Sequence, residues 1–396
     1  MSKALSQIAD ESLAEEGRKR LEWTRVRMPI LRRLKTSLAD SRPFDGIQIG
    51  ICLHVEPKTA IWLETLRAGG AEIAITGSPG TTVDSTAAAL SEDDGIRVFA
   101  KRDESFEEHL EYARLVLETD PNLIADNGAD LHFLVDREYK SLRTELIGAT
   151  EETTSGGYRL REEIRSDSFP TIVINDSRAK RIIENRYGVG QSVVEAIMRS
   201  TNVLIGGLKA AVIGYGYCGR GVALCLKNLG ARVTVVEIDP LTKLDALLEG
   251  FYVEDKEEAL SKCDLVITVT GRDGTLVSEE MALLKDGAMI ANAGHFEFEI
   301  DIEGLNETAT GEETAKDIQK FTFSDGKKIY LLGKGRPINL SAGGGNPIEV
   351  MDLGLALQTL SLKHIVENCV EMKKGPQNVP AEVEREVSQL AFEAWK

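Results

Sequence analysis

The chain has 396 residues, 42% of them apolar, with 47 basic and 64 acidic side chains and a net charge of −17. That length suits two or three domains with a sizeable buried core. The acidic balance argues against a nucleic-acid backbone or an anionic membrane as the main partner. Five scattered cysteines without CxxC spacing point to free thiols in a reducing cytoplasm, and no recognisable zinc motif pairs them with a histidine. Neither a signal-peptide core nor a run of about 18 apolar residues is present.

In chain order, Ser12 to Trp23 reads as an amphipathic helix, and Met28 to Leu38 as a second with Pro29 in its first turn. Gly46 to Leu53 is an apolar run that fits a buried strand. Lys58 to Ala68 is a helix ending at Gly69-Gly70, Glu72 to Thr76 a strand, and Thr82 to Leu90 a helix. Ile96 to Ala100 and Leu123 to Ala125 are further strands. Such alternation predicts a parallel α/β sheet. The long helix Gln191 to Thr201 leads to a second α/β unit starting near Leu208. Its strands are Ala210 to Ile213, Arg232 to Val236, Leu265 to Thr268 and Ala288 to Asn292. Gly311 to Asp317 is polar and reads as a solvated loop or helix face. Asn346 to Lys396 returns to a helical pattern.

The segment Lys209-Ala-Ala-Val-Ile-Gly-Tyr-Gly-Tyr-Cys-Gly-Arg-Gly221 is a strand followed by G-x-G-x-x-G. Gly214 allows the tight turn, Gly216 lets the backbone approach a pyrophosphate, and Gly219 permits close helix–strand packing. A helix starting near Tyr217 and Cys218 offers its N–H groups and positive dipole end to phosphates. Glu237 closes the next strand about twenty residues on. Its carboxylate accepts from ribose hydroxyls and repels a 2′-phosphate, so NAD is favoured over NADP.

Several segments together resemble S-adenosylhomocysteine hydrolase. They are Ile8-Ala-Asp-Glu-Ser-Leu-Ala-Glu-Glu-Gly-Arg-Lys19, Cys52-Leu-His54, Glu151-Glu-Thr-Thr-Ser155, Asn175-Asp-Ser177, Asn185-Arg-Tyr-Gly188 and Gly294-His-Phe-Glu-Phe-Glu-Ile-Asp301. The likeness runs in order over nearly the whole chain. It implies an α/β fold with two doubly wound parallel-sheet domains, the second a Rossmann NAD-binding domain. The implied division is a substrate domain over 1–185, the NAD domain over 186–345, and C-terminal helices over 346–396 that return to the first domain. It also implies a cytoplasmic homo-oligomer, dimer or tetramer, acting on a small nucleoside. In that family NAD oxidises the ribose 3′ carbon for a time. This acidifies the 4′ hydrogen, the 5′ substituent leaves, water adds, and the ketone is reduced again.

Residue by residue, the resemblance places His54 near the leaving group and 5′ water, Glu152 on ribose hydroxyls, and Lys180 as base for the 3′ hydroxyl. Glu184 lies four residues after Lys180, on the same face of a helix, and is placed to orient it. Thr153, Thr154, Ser155, Asn185, Thr270, Gly294, His295 and Asn339 fall on cofactor or active-site positions. His54, Glu56, Lys58, Thr59, Asn127, Glu152, Lys180, Glu184 and Asn346 are the substrate-side candidates. His109, His132 and His364 are assigned to surface or structural roles.

The chain also departs from the family. Where the family has two aspartates before a glycine, the second the proposed 4′ base, this chain has Asp126-Asn127-Gly128. An amide accepts no proton at neutral pH, which leaves Asp126, Asp130, Glu152 or His54 for that role. Glu184 replaces an aspartate, and Val189 a cysteine. In the purine pocket Glu56 and Lys58 replace threonine and glutamate, and Gly344-Gly-Asn-Pro347 replaces Met-Gly-His-Pro. The loop Gly77 to Asp84 differs too, and the sequence ends at Trp395-Lys396, before the family's tail. Sites built for one substrate reject analogues strongly, so the departures favour dehydration or hydration of a specialised adenosine-like nucleoside over thioether hydrolysis. A redox-only nucleoside or sugar dehydrogenase or epimerase, and a non-catalytic NAD-binding regulator, stay open beside them.

Overall fold

The computed structural model describes residues 6–164, 167–294 and 299–396. The chain forms two compact units. One combines residues 1–180 with 348–396; the other is the continuous stretch 181–347. No helix among the described residues is long and apolar enough to cross a membrane.

The first unit holds an eight-stranded sheet. Its strands are β1 (Gln7–Ile8), β2 (Gln48–Cys52), β3 (Glu72–Thr76), β4 (Ile96–Ala100), β5 (Leu123–Asp126), β6 (Gly148–Glu151), β7 (Pro170–Val173) and β16 (Gly375–Asn378). They lie in the order β1-β4-β3-β2-β5-β6-β7-β16, every neighbouring pair parallel. Parallel strands are covered on both faces and read as near-continuous apolar runs, as in Ile49–Cys52 and Ile73–Thr76, which are buried throughout. The segment after 346 is not helical throughout: between helices Ile348–Asn368 and Ala381–Trp395 it supplies β16 to the sheet edge. The helix Pro29–Ser41 starts at a proline, whose missing N–H costs nothing there. Its next two N–H groups, Ile30 and Leu31, donate to the buried Asp352 carboxylate at 2.8 Å each. An early helix is thus capped by a residue from the C-terminal part of the chain. Burial raises the Asp352 carboxyl to about 7 against the pull of those two donors.

The second unit holds β8 (Lys209–Ile213), β9 (Arg232–Val236), β10 (Tyr252–Val253), β11 (Leu265–Thr268), β12 (Ala288–Asn292), β13 (Ala309–Ala315), β14 (Ile318–Phe323) and β15 (Lys328–Leu332). Their order is β10-β9-β8-β11-β12-β15-β14-β13. Six strands from β10 to β15 are parallel, in the doubly wound arrangement of dinucleotide-binding sheets. Alternate residues serve opposite faces. Ala210, Val212, Val233, Leu265 and Ile267 join one apolar core; Ala211, Ile213, Val236, Val266 and Ile290 join the other. The last two strands are antiparallel. Gly311 to Ala315 belongs to β13 and is neither loop nor helix. It is an edge strand, exposed beyond Ala309, and turns back through Lys316-Asp317 with Asp317 at φ 65°. Charged side chains on such an edge discourage pairing with other chains.

Candidate active site

Ligands of open parallel sheets bind at the carboxyl ends of the strands, where neighbouring connections diverge. In the first sheet that point lies between β2 and β5. β2 ends at Cys52 and delivers His54; β5 ends at Asp126 and delivers Asn127. The adjacent β6 delivers Glu151, Glu152 and Thr153, and Lys180 follows β7.

Glu152 is the hub of this edge. Its Oε2 accepts from Asn127 Nδ2 at 3.1 Å, and its Oε1 from Lys180 Nζ at 3.3 Å. All three side chains are buried. Asn127 therefore acts on Glu152 as a hydrogen-bond donor. Beneath the hub, Glu151 accepts from Gly128 N at 3.1 Å, Ala129 N at 3.0 Å, and both Thr153 N and Thr153 Oγ1 at 2.7 Å. Gly156 is required there, because a Cβ would lie 2.2 Å from the Glu151 carboxyl carbon. Burial, then the Asp126 charge, pushes the Glu151 carboxyl up to about 8. Thr153 also caps the helix Thr154–Tyr158 by accepting from Gly156 N at 2.8 Å, and its hydroxyl lies 3.1 Å from Ser155 Oγ.

Asp126 and Asp130 are tied into the floor. Asp126 accepts from His132 N, His132 Nδ1 and Asn127 N at 3.0, 2.8 and 3.0 Å. Asp130 meets His109 Nε2 at 3.2 Å and Arg159 at 2.8 Å. Both histidines are buried rather than superficial. Burial opposes a charge on His109, yet Asp130 and Glu104 raise it to about 9.

His54 Nδ1 lies 3.0 Å from Thr81 Oγ1, and that hydroxyl gives its single hydrogen to Ser78 O at 2.7 Å. Thr81 must then accept from Nδ1–H, which places the lone pair of neutral His54 on Nε2. Glu56 and Lys58 form an ion pair at 2.7 Å, their side chains 15% and 5% exposed. Burial raises the Glu56 carboxyl despite that neighbour. Thr59, next in the same helix, is buried.

The second unit carries the other candidates. Lys180 opens the π-helical segment Lys180–Gly188, and Glu184 and Asn185 lie further along it, within the second unit. Gly214 sits at φ 103°, and a Cβ on Gly219 would lie 2.0 Å from Gly214 O. A Cβ on Gly216 would meet nothing within 4 Å, so open space borders the turn. The helix Tyr217–Asn228 starts there with no capping side chain. Tyr217 is half-exposed and Cys218 partly buried. Glu237 Oε2 accepts from Tyr215 N at 2.9 Å, and Oε1 from Ile238 N and Asp239 N at 2.6 and 3.1 Å. A carboxylate has about four acceptor positions, so three backbone donors leave room for roughly one ribose hydroxyl rather than both. Past β11, Thr270 N and Gly271 N donate to the buried Glu299 at 3.0 and 2.6 Å. Gly294 makes room for that carboxylate: a Cβ would lie 1.4 Å from Glu299 Oε1. Burial raises the Glu299 carboxyl. His295 lies outside the described residues.

Asn339, Asn346 and Glu184 are joined through Ser192. Asn339 Nδ2 donates to Ser192 Oγ at 3.2 Å, Ser192 Oγ to Asn346 Oδ1 at 3.0 Å, and Asn346 Nδ2 to Glu184 Oε1 at 3.3 Å. Thr81, Ser192, Glu151 and Glu299 were not singled out from sequence. Glu151 and Glu299 stand inside segments whose other residues drew the notice. The differing loop from Gly77 was the one pointer to Thr81, and nothing in the local pattern marks Ser192.

The glycine turn, the uncapped helix start with space beside it, and the anchored carboxylate after β9 fit a dinucleotide's pyrophosphate and ribose. The first unit separately carries the buried Lys180 and Glu152 and the partly buried His54, groups suited to acid–base chemistry; the two sets are those of an NAD-dependent enzyme. The family model described as "S-adenosyl-L-homocysteine hydrolase, NAD binding domain" matches residues 185–345, and "S-adenosyl-L-homocysteine hydrolase" matches residues 6–140. An S-inosyl-L-homocysteine hydrolase from Methanopyrus kandleri is 43% identical, over 98% of this chain and 92% of its own. An adenosylhomocysteinase from Sulfolobus acidocaldarius is 42% identical, over 98% and 94%. Among solved structures, the dipicolinate synthase A chain from Bacillus subtilis aligns at 14% identity and a TM-score of 0.48, over 82% of this chain and 98% of its own. The chain belongs to the S-adenosyl-L-homocysteine hydrolase family.

Proposed function

We propose that this enzyme hydrolyses the thioether of an S-ribonucleosyl-L-homocysteine, and that its purine is a 6-oxopurine before an adenine. Relatives named for thioether hydrolysis, at 43% and 42% identity over nearly the whole chain, favour this over dehydration of a specialised nucleoside. NAD, when bound, supplies a hydride acceptor for the ribose 3′ carbon and returns the hydride at the end of turnover. Lys180 takes the 3′-hydroxyl proton on a neutral Nζ, and the buried Glu152, 3.3 Å away, holds the ammonium that this forms. Glu152 is our candidate for the 4′ base, because Asp126 and Asp130 are committed to other donors. The C5′–S bond then breaks with its electron pair on sulfur. His54, with its lone pair on Nε2, takes a proton from the water whose oxygen adds at C5′, and that proton goes to the thiolate sulfur; Glu152 returns its proton to C4′, and Lys180 returns its own to the 3′ oxygen when the hydride comes back. Exchange of the 4′ hydrogen with deuterated solvent tests this sequence. No exchange with any nucleoside that reduces the bound cofactor would sink it.

The observation that carries the base assignment is the ion pair between the buried Lys58 and the partly buried Glu56. An ammonium has three donors and no acceptor. It suits the O6 carbonyl of hypoxanthine, while Glu56 beside it accepts from N1–H. Adenine brings an amino group, a second donor, to the same edge. The test compares kcat/KM for S-inosyl- and S-adenosyl-L-homocysteine by homocysteine release. The inosyl compound is expected to be better by about tenfold or more, as for an analogue that presents a donor to a donor. Equal or reversed preference overturns the base assignment alone.

A further inference from the structure

We infer that Ser192 is a positioning residue for the redox step, acting through Asn346 on Glu184. This rests on the reading proposed above. The chain Asn339–Ser192–Asn346–Glu184 lies within the second unit, and each link is a directed hydrogen bond. Its direction follows from its end. An ionised Glu184 is acceptor-only, so Asn346 must turn Nδ2 toward it. Asn346 then presents Oδ1 to Ser192, and only a donor is tolerated there. Ser192 has one hydroxyl hydrogen. Its two acceptors are Asn346 Oδ1 at 3.0 Å and Val189 O at 3.3 Å. The shorter contact takes it, and the lone pair receives Asn339 Nδ2. One hydroxyl thereby fixes the orientation of two amides and presents Glu184 in a single setting.

Asn339 and Asn346 stand at positions the family resemblance gives to cofactor and substrate. Ser192 joins them through a hydrogen bond to each. Ser192, Asn339 and Glu184 are buried, so water does not readily replace a lost partner. Removing the hydroxyl takes one donor from Asn346 Oδ1 and one acceptor from Asn339 Nδ2 together. The bond that turns Asn346 Oδ1 away from the Glu184 carboxylate is then lost.

The test follows reduction of the enzyme-bound NAD by inosine, read as NADH absorbance in a single turnover. Ser192→Ala should slow it about ten- to a hundredfold, the range for loss of a hydrogen bond in a buried polar chain. Ser192→Thr, which keeps the hydroxyl, should restore most of the rate. Because the residues act in series, Ser192→Ala combined with Asn346→Ala should be no slower than the slower single variant. A wild-type rate for Ser192→Ala, or penalties that multiply in the double variant, overturns the inference. If Ser192→Ala does not fold with NAD bound, Ser192→Cys keeps the volume with a weaker donor and should give an intermediate rate; a wild-type rate there overturns it equally. Failure of inosine and adenosine alike to reduce NAD in the wild type overturns the proposed function itself, a distinguishable result.

Discussion

Asn127→Asp separates a donor role for residue 127 from a base role. The donor and the Glu152 oxygen are 3.1 Å apart in a buried setting. Two carboxylates at that distance repel by about 5 kcal/mol at an effective dielectric of 20. That repulsion pushes the second ionisation of the pair upward. Below that, the introduced carboxyl keeps its proton and donates to Glu152 as the amide does. Asn127→Asp should therefore work near the wild-type rate around pH 6 to 7. Its kcat, relative to wild type, should fall as pH rises and the pair gains its second charge. Asn127→Leu removes the donor at every pH and should cost about 10- to 100-fold, the worth of a hydrogen bond to a charged group. Homocysteine release, followed with a thiol reagent across pH, measures both. A ratio of Asn127→Asp to wild type that stays flat from about pH 6 to 9, or an Asn127→Leu enzyme at the wild-type rate, refutes the donor role.

Two further outcomes follow from other contacts. Thr81→Val deletes the acceptor that holds Nδ1–H of His54. It should lower kcat about tenfold, with little change in bound NAD, and Thr81→Ser should recover most of the loss. His109 is raised to about 9 by Asp130 and Glu104, above its ordinary value of 6.5. Its folded-state proton contributes stability that is full below about pH 6.5 and is lost as pH climbs through about 9. The displacement is worth about 3 kcal/mol. Urea midpoints should thus fall between about pH 6 and pH 9.5, and fall less in His109→Gln. An equal fall in both proteins rules out His109 as the source.

The dinucleotide turn was legible because its cause is local: three glycines at fixed spacing between an apolar strand and a helix. His54, Glu152 and Lys180 were legible because they stand in short distinctive segments. Their partners were not, because the contacts are made across the fold. Thr81 reaches His54 over 27 residues, and Ser192 reaches Asn339 over 147 and Asn346 over 154. No periodicity records such pairs. Two strands were hidden for another reason. β13 has a single buried residue, so it lacks the alternation that announces a strand, and β16 begins Gly-Pro and pairs on one side alone. Asn127 could be read from sequence as a lost base. Its use as a donor needed the 3.1 Å contact.

The Asp352 cap bears on how the chain is made. Ribosomes release the chain from its first residue onward, at about 5 to 20 residues per second. Helix Pro29–Ser41 waits for a carboxylate 322 residues downstream of Ile30, and β7 waits for β16. The intervening stretch 181–347 is continuous and has its own sheet and cores. The nucleotide unit can therefore mature on the nascent chain while the first unit is still open at one edge. Residues 348–396 close the unit that residues 1–180 began, so a chain truncated after residue 347 should leave a folded dinucleotide domain tethered to an unfinished, protease-sensitive partner.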